Sequence, residues 1–549
     1  MSEHPWSVPG GLVERPGLLS GEAEIWVYAD KFSYFAGETV SLRVHTTADQ
    51  YDLEIVRDGA RPHSIVKYIG LPGKQQATPA DAYAVGCGWS ESLAFTVASN
   101  WSSGMYLILV RMRHEGVVVE REGFFIVRSR DAALADLVLI HTTSTMLAYN
   151  DWGGANHYRG VPDGSGDVPT PISSTQRPIA RGMLRKPEGA ARNIHTDTPG
   201  VGWVPRHPPY EWAWVNGYSR HHADAFWATY ERPFTVWAEE QGFRVHHITQ
   251  HDLHEDPSAL QGYSCAVVVG HDEYWSWEMR DRIDEFVDGG GGLARFGGNF
   301  LWQVRIEGDA QVCYKNPFDD PMREVDPTRV TTAWDSPEVA RPGAWTMGLT
   351  GMAGVYNRYG ATTPRSSGGF TVYRPDHWAL NGTDLYYGDN FGIAPICVAG
   401  FEMDGVDYTF TKGQPSATGV DGAPEDLQII AMAPAVSGSR DNWNGAVPIG
   451  APFAEVRGII ECFYGSEPPE HLRDLEYGSG MIACHQRGFG TVFNAGSTEW
   501  VNGLIHHDPF TEKITSNVLN LFAAQISSFN AGETDTRVDD IRTFGPGQL

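Results

Sequence analysis

Paired cysteines, an excess of positive charge and long apolar runs are all missing from this sequence, and each absence removes a class of protein. The six cysteines (Cys87, Cys265, Cys313, Cys397, Cys462, Cys484) form no C-x-x-C pair, so zinc-ribbon and thioredoxin-like sites are not expected. Cys265 and Cys484 sit inside apolar strands and read as reduced core thiols. With 41 Lys+Arg against 68 Asp+Glu, the net charge of −27 disfavours nucleic acid, whose phosphates need clustered cations, and anionic membranes. No apolar run approaches the roughly 20 residues that cross a bilayer, and the opening MSEHPWSVPGG has no leader-like basic and apolar regions. The expectation is a soluble cytoplasmic protein with neither a nucleic-acid nor a membrane partner. No Gly-x-Ser-x-Gly elbow and no His-Glu-x-x-His occurs, which removes the usual serine-hydrolase and zincin chemistries.

What is present is a large, well-packed chain. Its 549 residues are 41% hydrophobic and 12% aromatic, with 62 Gly and 34 Pro, enough for two or three domains joined by many turns. After an irregular arm over residues 1–20, period-two strands separated by turn signals run to about residue 130, predicting an immunoglobulin-like β-sandwich over 21–130. At Ala132 the character changes. Leu137-Val-Leu-Ile140 reads as a strand buried on both faces that opens into a polar loop, His141–Tyr158. From residue 234 helix and strand patterns alternate, predicting an α/β layer fold over 131–527. A long β- and loop-rich insertion falls at about 301–487, a closing helix over 514–524, and a tail over 528–549.

The most informative stretch is AVVVGHDEYWSWEMRDRIDEFVDGGGGLARFGGNFLW, residues 266–302. A β-branched strand breaks at Gly270 into His271, Asp272, Glu273, Tyr274 and Trp275. A helix follows over 277–287, with Asp272, Glu273 or Ser276 as its cap, and then a second strand, 293–296. In open α/β sheets ligands sit at the carboxyl ends of strands, so this turn is where a site is expected. It carries no thiol, which argues against covalent cysteine catalysis. Capping alone accounts for the acids but not for Tyr274, whose oxygen suits a hard cation. His251-Asp-Leu-His254 has metal-ligand spacing, but Asp256-Pro257 soon ends any helix, and a capped turn is the expectation.

These motifs resemble a known family. Val268-Val-Gly-His-Asp-Glu-Tyr-Trp-Ser276, Phe296-Gly-Gly-Asn299, Ala148-Tyr-Asn-Asp-Trp-Gly-Gly154, residues 234–254, His377-Trp378 with Gly382-Thr383, and Phe493-Asn-Ala-Gly496 through Trp500 are similar to the large (beta) subunit of N,N-dimethylformamidase. The resemblance implies a β-sandwich followed by a glutamine-amidotransferase-like α/β domain. It also implies hydrolysis of a small amide at a mononuclear ferric iron held by two tyrosines and one glutamate, a small companion subunit, and self-association. Matched by position, Tyr274 and Tyr230 are the expected tyrosines. The family's Thr-Gly-Glu-x-Gly-Gly falls on Thr350-Gly-Met352-Ala-Gly354, where Met352 replaces the glutamate, and a second, catalytic glutamate falls at His485. The expectation is therefore an amide C–N hydrolase with an altered site, in which Glu273, Glu499 or His485 completes the metal centre. His271 or His485 would shuttle protons, and Asn299 and Asn150 would orient the substrate. The alternative is another hydrolase or a binding protein on the same scaffold, acting on a polar metabolite or a carbohydrate, for which 18 tryptophans offer stacking surfaces.

Overall fold

The computed structural model describes residues 14–17, 23–160, 169–194, 208–354, 356–357, 367–436, 460–473 and 477–524. Most of the expected arm and all of the expected tail lie outside these residues. The fold is mixed α/β. Two antiparallel-rich sheets form an amino-terminal layer, one of three strands (Ile25–Ala29, Thr39–Thr46, Leu93–Thr96) and one of five (Ser33–Phe35, Gln50–Asp58, His63–Pro72, Gly104–His114, Val117–Arg128). Alternate residues of both, including Val27, Leu42, Leu53, Ile108 and Phe125, meet in one buried cluster, as period-two patterning requires.

The second layer is a nine-stranded sheet. Its parallel part comprises β1 (Leu137–His141), β2 (Val245–Thr249), β3 (Cys265–His271), β5 (Gly292–Gly298) and β9 (Gly490–Asn494). Short β4 (Tyr274–Ser276) and β6 (Trp302–Glu307) pair beside it. The spatial order is β2-β1-β3-β5-β9, continued by antiparallel β8 (Tyr477–Arg487), β7 (Gln428–Val436), Phe370–Val372 and Asn390–Phe391. β5 and β9 are parallel neighbours in space although a long segment separates them in the chain.

Strand β1 shows why the sheet is buried on both faces. Leu137 and Leu139 join a cluster with Phe234, Trp237, Val518 and Phe522, while Val138 and Ile140 join Leu253, Met279, Ile283 and Val287. Helices α2 (Arg232–Glu240), α5 (Trp500–Ile505) and α6 (Pro509–Ala524) thus cover one face, and α3 (Gln250–Glu255) and α4 (Trp277–Asp288) the other. The cap of α4 is Ser276, whose Oγ accepts from Met279 N–H at 3.2 Å, an interaction worth about 1 kcal/mol. That frees Asp272 and Glu273 from capping. Residues 143–149, expected as loop, form helix α1 (Thr143–Tyr149), fully buried along its length. The His251–His254 segment is the capped helix α3, with Thr249 accepting from Asp252 N–H at 3.0 Å.

Candidate functional site

Strands β1 and β3 are adjacent, but the chain leaves β1 toward β2 and leaves β3 toward β5. This reversal is a topological switch point, beside whose strand carboxyl ends α/β sheets bind ligands. Helix α1 reaches it from β1, and the His271–Glu273 turn from β3.

Glu273 is the centre of what converges there. The Tyr158 hydroxyl donates to Oε1 at 2.6 Å, and the Tyr149 hydroxyl to Oε2 at 2.9 Å. Trp302 Nε1–H donates to Oε1 at 2.7 Å, and His271 Nε2 stands 3.3 Å from Oε2. The carboxylate is fully buried. Burial alone would raise its pKa, yet the His271 imidazole, Lys315 and the Tyr158 hydrogen bond hold it below the ordinary glutamate value. The two tyrosine rings stack with centroids 4.8 Å apart. One residue sets both: Asn156 Nδ2 donates to the Tyr149 carbonyl at 2.8 Å, and its Oδ1 accepts from Tyr158 N–H at 2.9 Å. The Lys315 ammonium lies 3.2 Å from the Tyr158 ring centroid, a cation–π contact. Burial first, and then the Glu273 and Glu402 charges, push the Tyr149 phenol well above its usual pKa.

His271 links Glu273 to a second acid. Its Nδ1–H donates to the Asp224 carbonyl at 2.7 Å, which turns Nε2 toward Glu402 Oε2 at 2.7 Å. Burial would lower the imidazole's pKa, but the Glu402 and Glu273 carboxylates outweigh it and hold the ring protonated, well above 6.5. Asn299 Nδ2 donates to Glu402 Oε2 at 3.1 Å, from a left-handed backbone with φ 64° that Asn tolerates better than most residues. Glycines make this approach feasible. A Cβ on Gly298 would lie 2.5 Å from the Glu402 carbonyl oxygen, and one on Gly270 only 2.2 Å from Tyr230 Cβ. Asp272, the other acid of the turn, is tied to Arg295, which also pairs with Asp404.

Of the residues singled out in the sequence, the fold brings His271, Glu273 and Asn299 into one cluster. Tyr274 is a near neighbour, standing edge-on to Tyr149 and Tyr158 at 6.5 and 6.4 Å between ring centroids. Glu273, in the turn between β3 and β4, is the residue that meets the two phenols. Tyr230 is fully buried and donates to Glu499 Oε1 at 3.0 Å, with Arg192 on the other oxygen at 2.9 Å. Asn150 spends its amide on backbone, donating to the Pro178 carbonyl at 3.0 Å and accepting from Ala180 N–H at 3.0 Å. His485 pairs with Val492 near the β8–β9 hairpin, at the amino end of neighbouring β5 and so away from the carboxyl ends that carry His271 and Asn299. Met352 packs in the apolar cluster that contains Tyr149, Tyr274 and Trp302. Sequence reasoning missed Tyr149, Tyr158 and Glu402. The first two lay in the polar segment after β1, whose strand-end position was the available signal; Glu402 lay in the insertion with no periodic pattern around it.

Among the described residues no group of three His, Cys, Asp or Glu side chains could hold a metal ion. A metal held here would therefore depend on tyrosine oxygens. Compared with known families, residues 53–512 match the one described as N,N-dimethylformamidase beta subunit-like, C-terminal. Comparison with curated proteins gives no match.

Proposed function

Because the chain belongs to the N,N-dimethylformamidase beta subunit-like family, we propose that it hydrolyses the C–N bond of a small amide at the centre built on Glu273. The carrying observation is that two tyrosine hydroxyls, Tyr149 and Tyr158, converge on one buried glutamate at 2.9 and 2.6 Å. It agrees in residue type, not in position, with the two-tyrosine, one-glutamate set that the resemblance implies for a ferric ion, whose tyrosines it matched to Tyr274 and Tyr230. Hard oxygen donors suit a hard trivalent cation. In this reading Met352 replaces nothing, because the carboxylate comes from Glu273.

Tyr149, Tyr158 and Glu273 would hold the iron, and the chemistry it supplies when bound is Lewis-acid polarisation of a carbonyl. Asn156 and Trp302 fix the donors before any substrate arrives. Glu402 Oε2, 2.7 Å from His271 Nε2, takes a proton from the attacking water, and the proton held between Glu402 and His271 passes to the departing amine nitrogen. Asn299 keeps Glu402 aimed through its 3.1 Å hydrogen bond. The carbohydrate alternative draws little from Trp152, Trp227, Trp275, Trp334 and Trp500, which are fully buried, and Trp302 serves Glu273 through its Nε1–H. A small companion subunit and self-association belong to the same proposal.

The test is an assay of wild type, Glu402→Gln and Glu273→Gln on a panel of formamides, acetamides and glycosides after expression with iron. The expected result is amide turnover by wild type, with kcat reduced about a hundredfold or more in both variants. Turnover confined to glycosides, or unchanged in Glu402→Gln, would refute the reading.

A further inference from the structure

Between the amino-terminal layer and α3 lies a cavity of about 190 Å³ that the Glu273 centre does not use. Its lining includes His251 with Asp30, Glu38, Asp252, Glu255 and Asp309, against only Lys31 and Arg128 as cations. Part of this charge is already matched: Asp252 pairs with Arg128 at 2.9 Å, Asp30 accepts from the Tyr34 hydroxyl at 2.6 Å, and Glu38 accepts from Phe35 N–H at 2.8 Å. Glu255 is exposed, and the Asp309 carboxylate accepts a long 3.4 Å bond from Gln176.

His251 is the second, independent observation. Only 7% of its surface is exposed. Its Nδ1 shares a 2.8 Å hydrogen bond with Thr143 Oγ1, while Nε2 is buried with no hydrogen-bond partner. An unmatched buried ring nitrogen costs about 1–3 kcal/mol unless something in the cavity meets it. The aromatic lining already accepts cations: the Arg128 and Arg130 guanidiniums lie 4.2 and 3.9 Å from the Phe35 ring centroid, and Phe32 packs edge-on to His251 at 5.0 Å. A metal ion is the poorer occupant, because no three His, Cys, Asp or Glu side chains among the described residues form a ligand group. The volume admits about six water-sized groups.

We propose that this cavity is a binding site for a small alkylammonium cation, which donates to His251 Nε2 and to the Glu255 and Asp309 carboxylates with its carbons against Phe32. With a cation seated, Nδ1–H donates to Thr143, the first residue of α1.

The experiment is calorimetric titration of the full chain with ethylammonium chloride, whose three N–H groups match the three acceptors, with calcium, magnesium and sodium chlorides as separate arms. Wild type should bind one ethylammonium per chain. The Kd should rise about tenfold or more in the double variant Glu255→Gln/Asp309→Asn, whose substitutions lie at the cavity rim, and in His251→Leu. It should be unchanged in Glu273→Gln, which separates this site from the reaction centre. Lack of saturation below about 50 mM, which leaves the cavity to water, would overturn the proposal. So would saturation by a divalent ion instead, or a Kd that the rim variant leaves unmoved.

Discussion

Two buried histidines stand at neighbouring strand ends, His141 on β1 and His271 on β3, and their partners come in opposite ratios. His141 Nδ1 meets one carboxylate, Glu231, at 2.7 Å, and its Nε2 meets a second imidazole, His247, at 2.9 Å. The other Glu231 oxygen is closed off by Thr142, whose N–H and hydroxyl donate at 2.7 and 2.8 Å. A single π-helical turn, Trp227–Glu231, sets that glutamate in place. Around His271 there are two carboxylates for one imidazole, and two phenols whose protons a cation can displace. In the first cluster both Glu231 oxygens and both His141 nitrogens are matched, His247 Nε2 alone lacking a hydrogen-bond partner, and it reads as structural. In the second, protonated His271 and the Lys315 ammonium face the two carboxylates, and it is the gathering of tyrosine and carboxylate oxygens around Glu273 that suits a hard cation.

The sharpest break of this comparison is Glu273→Gln. It should abolish metal retention and reduce amide turnover by about a hundredfold or more, read by plasma mass spectrometry and a fixed-time assay, while the unfolding midpoint changes little. Glu231→Ala should do the reverse. Stripping the one carboxylate from a closed pair is expected to cost about 3 kcal/mol in denaturant unfolding, and the molecules that remain folded should hold metal normally. A stable Glu231→Ala protein without metal would merge the two clusters into one functional unit.

A smaller effect comes from protonation. Burial is the largest cause that lowers His485, His222 and His377 to about 4, and His251 to about 3. Each is a base whose folded pKa lies below its unfolded value of about 6.5. Above that value both states are neutral and nothing is gained. As the pH falls from about 6.5 towards 4, only the unfolded chain takes up these protons, so stability drops. Replacing His485, which lies near the β8–β9 hairpin, with Leu should make the decline shallower by up to about 1.4 kcal/mol per pH unit. An unchanged slope between pH 6.5 and 4.5 would count against a neutral buried His485. The smallest expected effect is that of Tyr230→Phe, which removes a hydrogen bond to Glu499 worth about 1–2 kcal/mol and leaves metal content alone.

How far the sequence could be read follows from where its periodic signals lie. The strand–helix–strand unit from β3 to β5 was legible because apolar alternation, a Ser cap and a glycine stop all agreed, and strand-end logic then pointed to His271, Glu273 and Asn299. The resemblance points by position to Tyr274 and Tyr230, whereas Tyr149 reaches Glu273 from 124 residues away, a tertiary contact that no local window displays. Glu402 had no local signature at all. It arrives because Gly298 lets its backbone pass within van der Waals contact, a tertiary fact that no window of sequence contains. Asn150 and His485 were polar residues in promising segments, but the fold spends one on a backbone turn and buries the other in the sheet.

The account turns on which phenols face the cation, and iron content measured on three single variants decides it. After expression with iron and removal of loosely bound metal, Tyr149→Phe and Tyr158→Phe should fall well below one iron per chain, while Tyr274→Phe should retain the wild-type content. Full occupancy in the first two together with loss in Tyr274→Phe would contradict the assignment and return the centre to the residues adjacent in the chain.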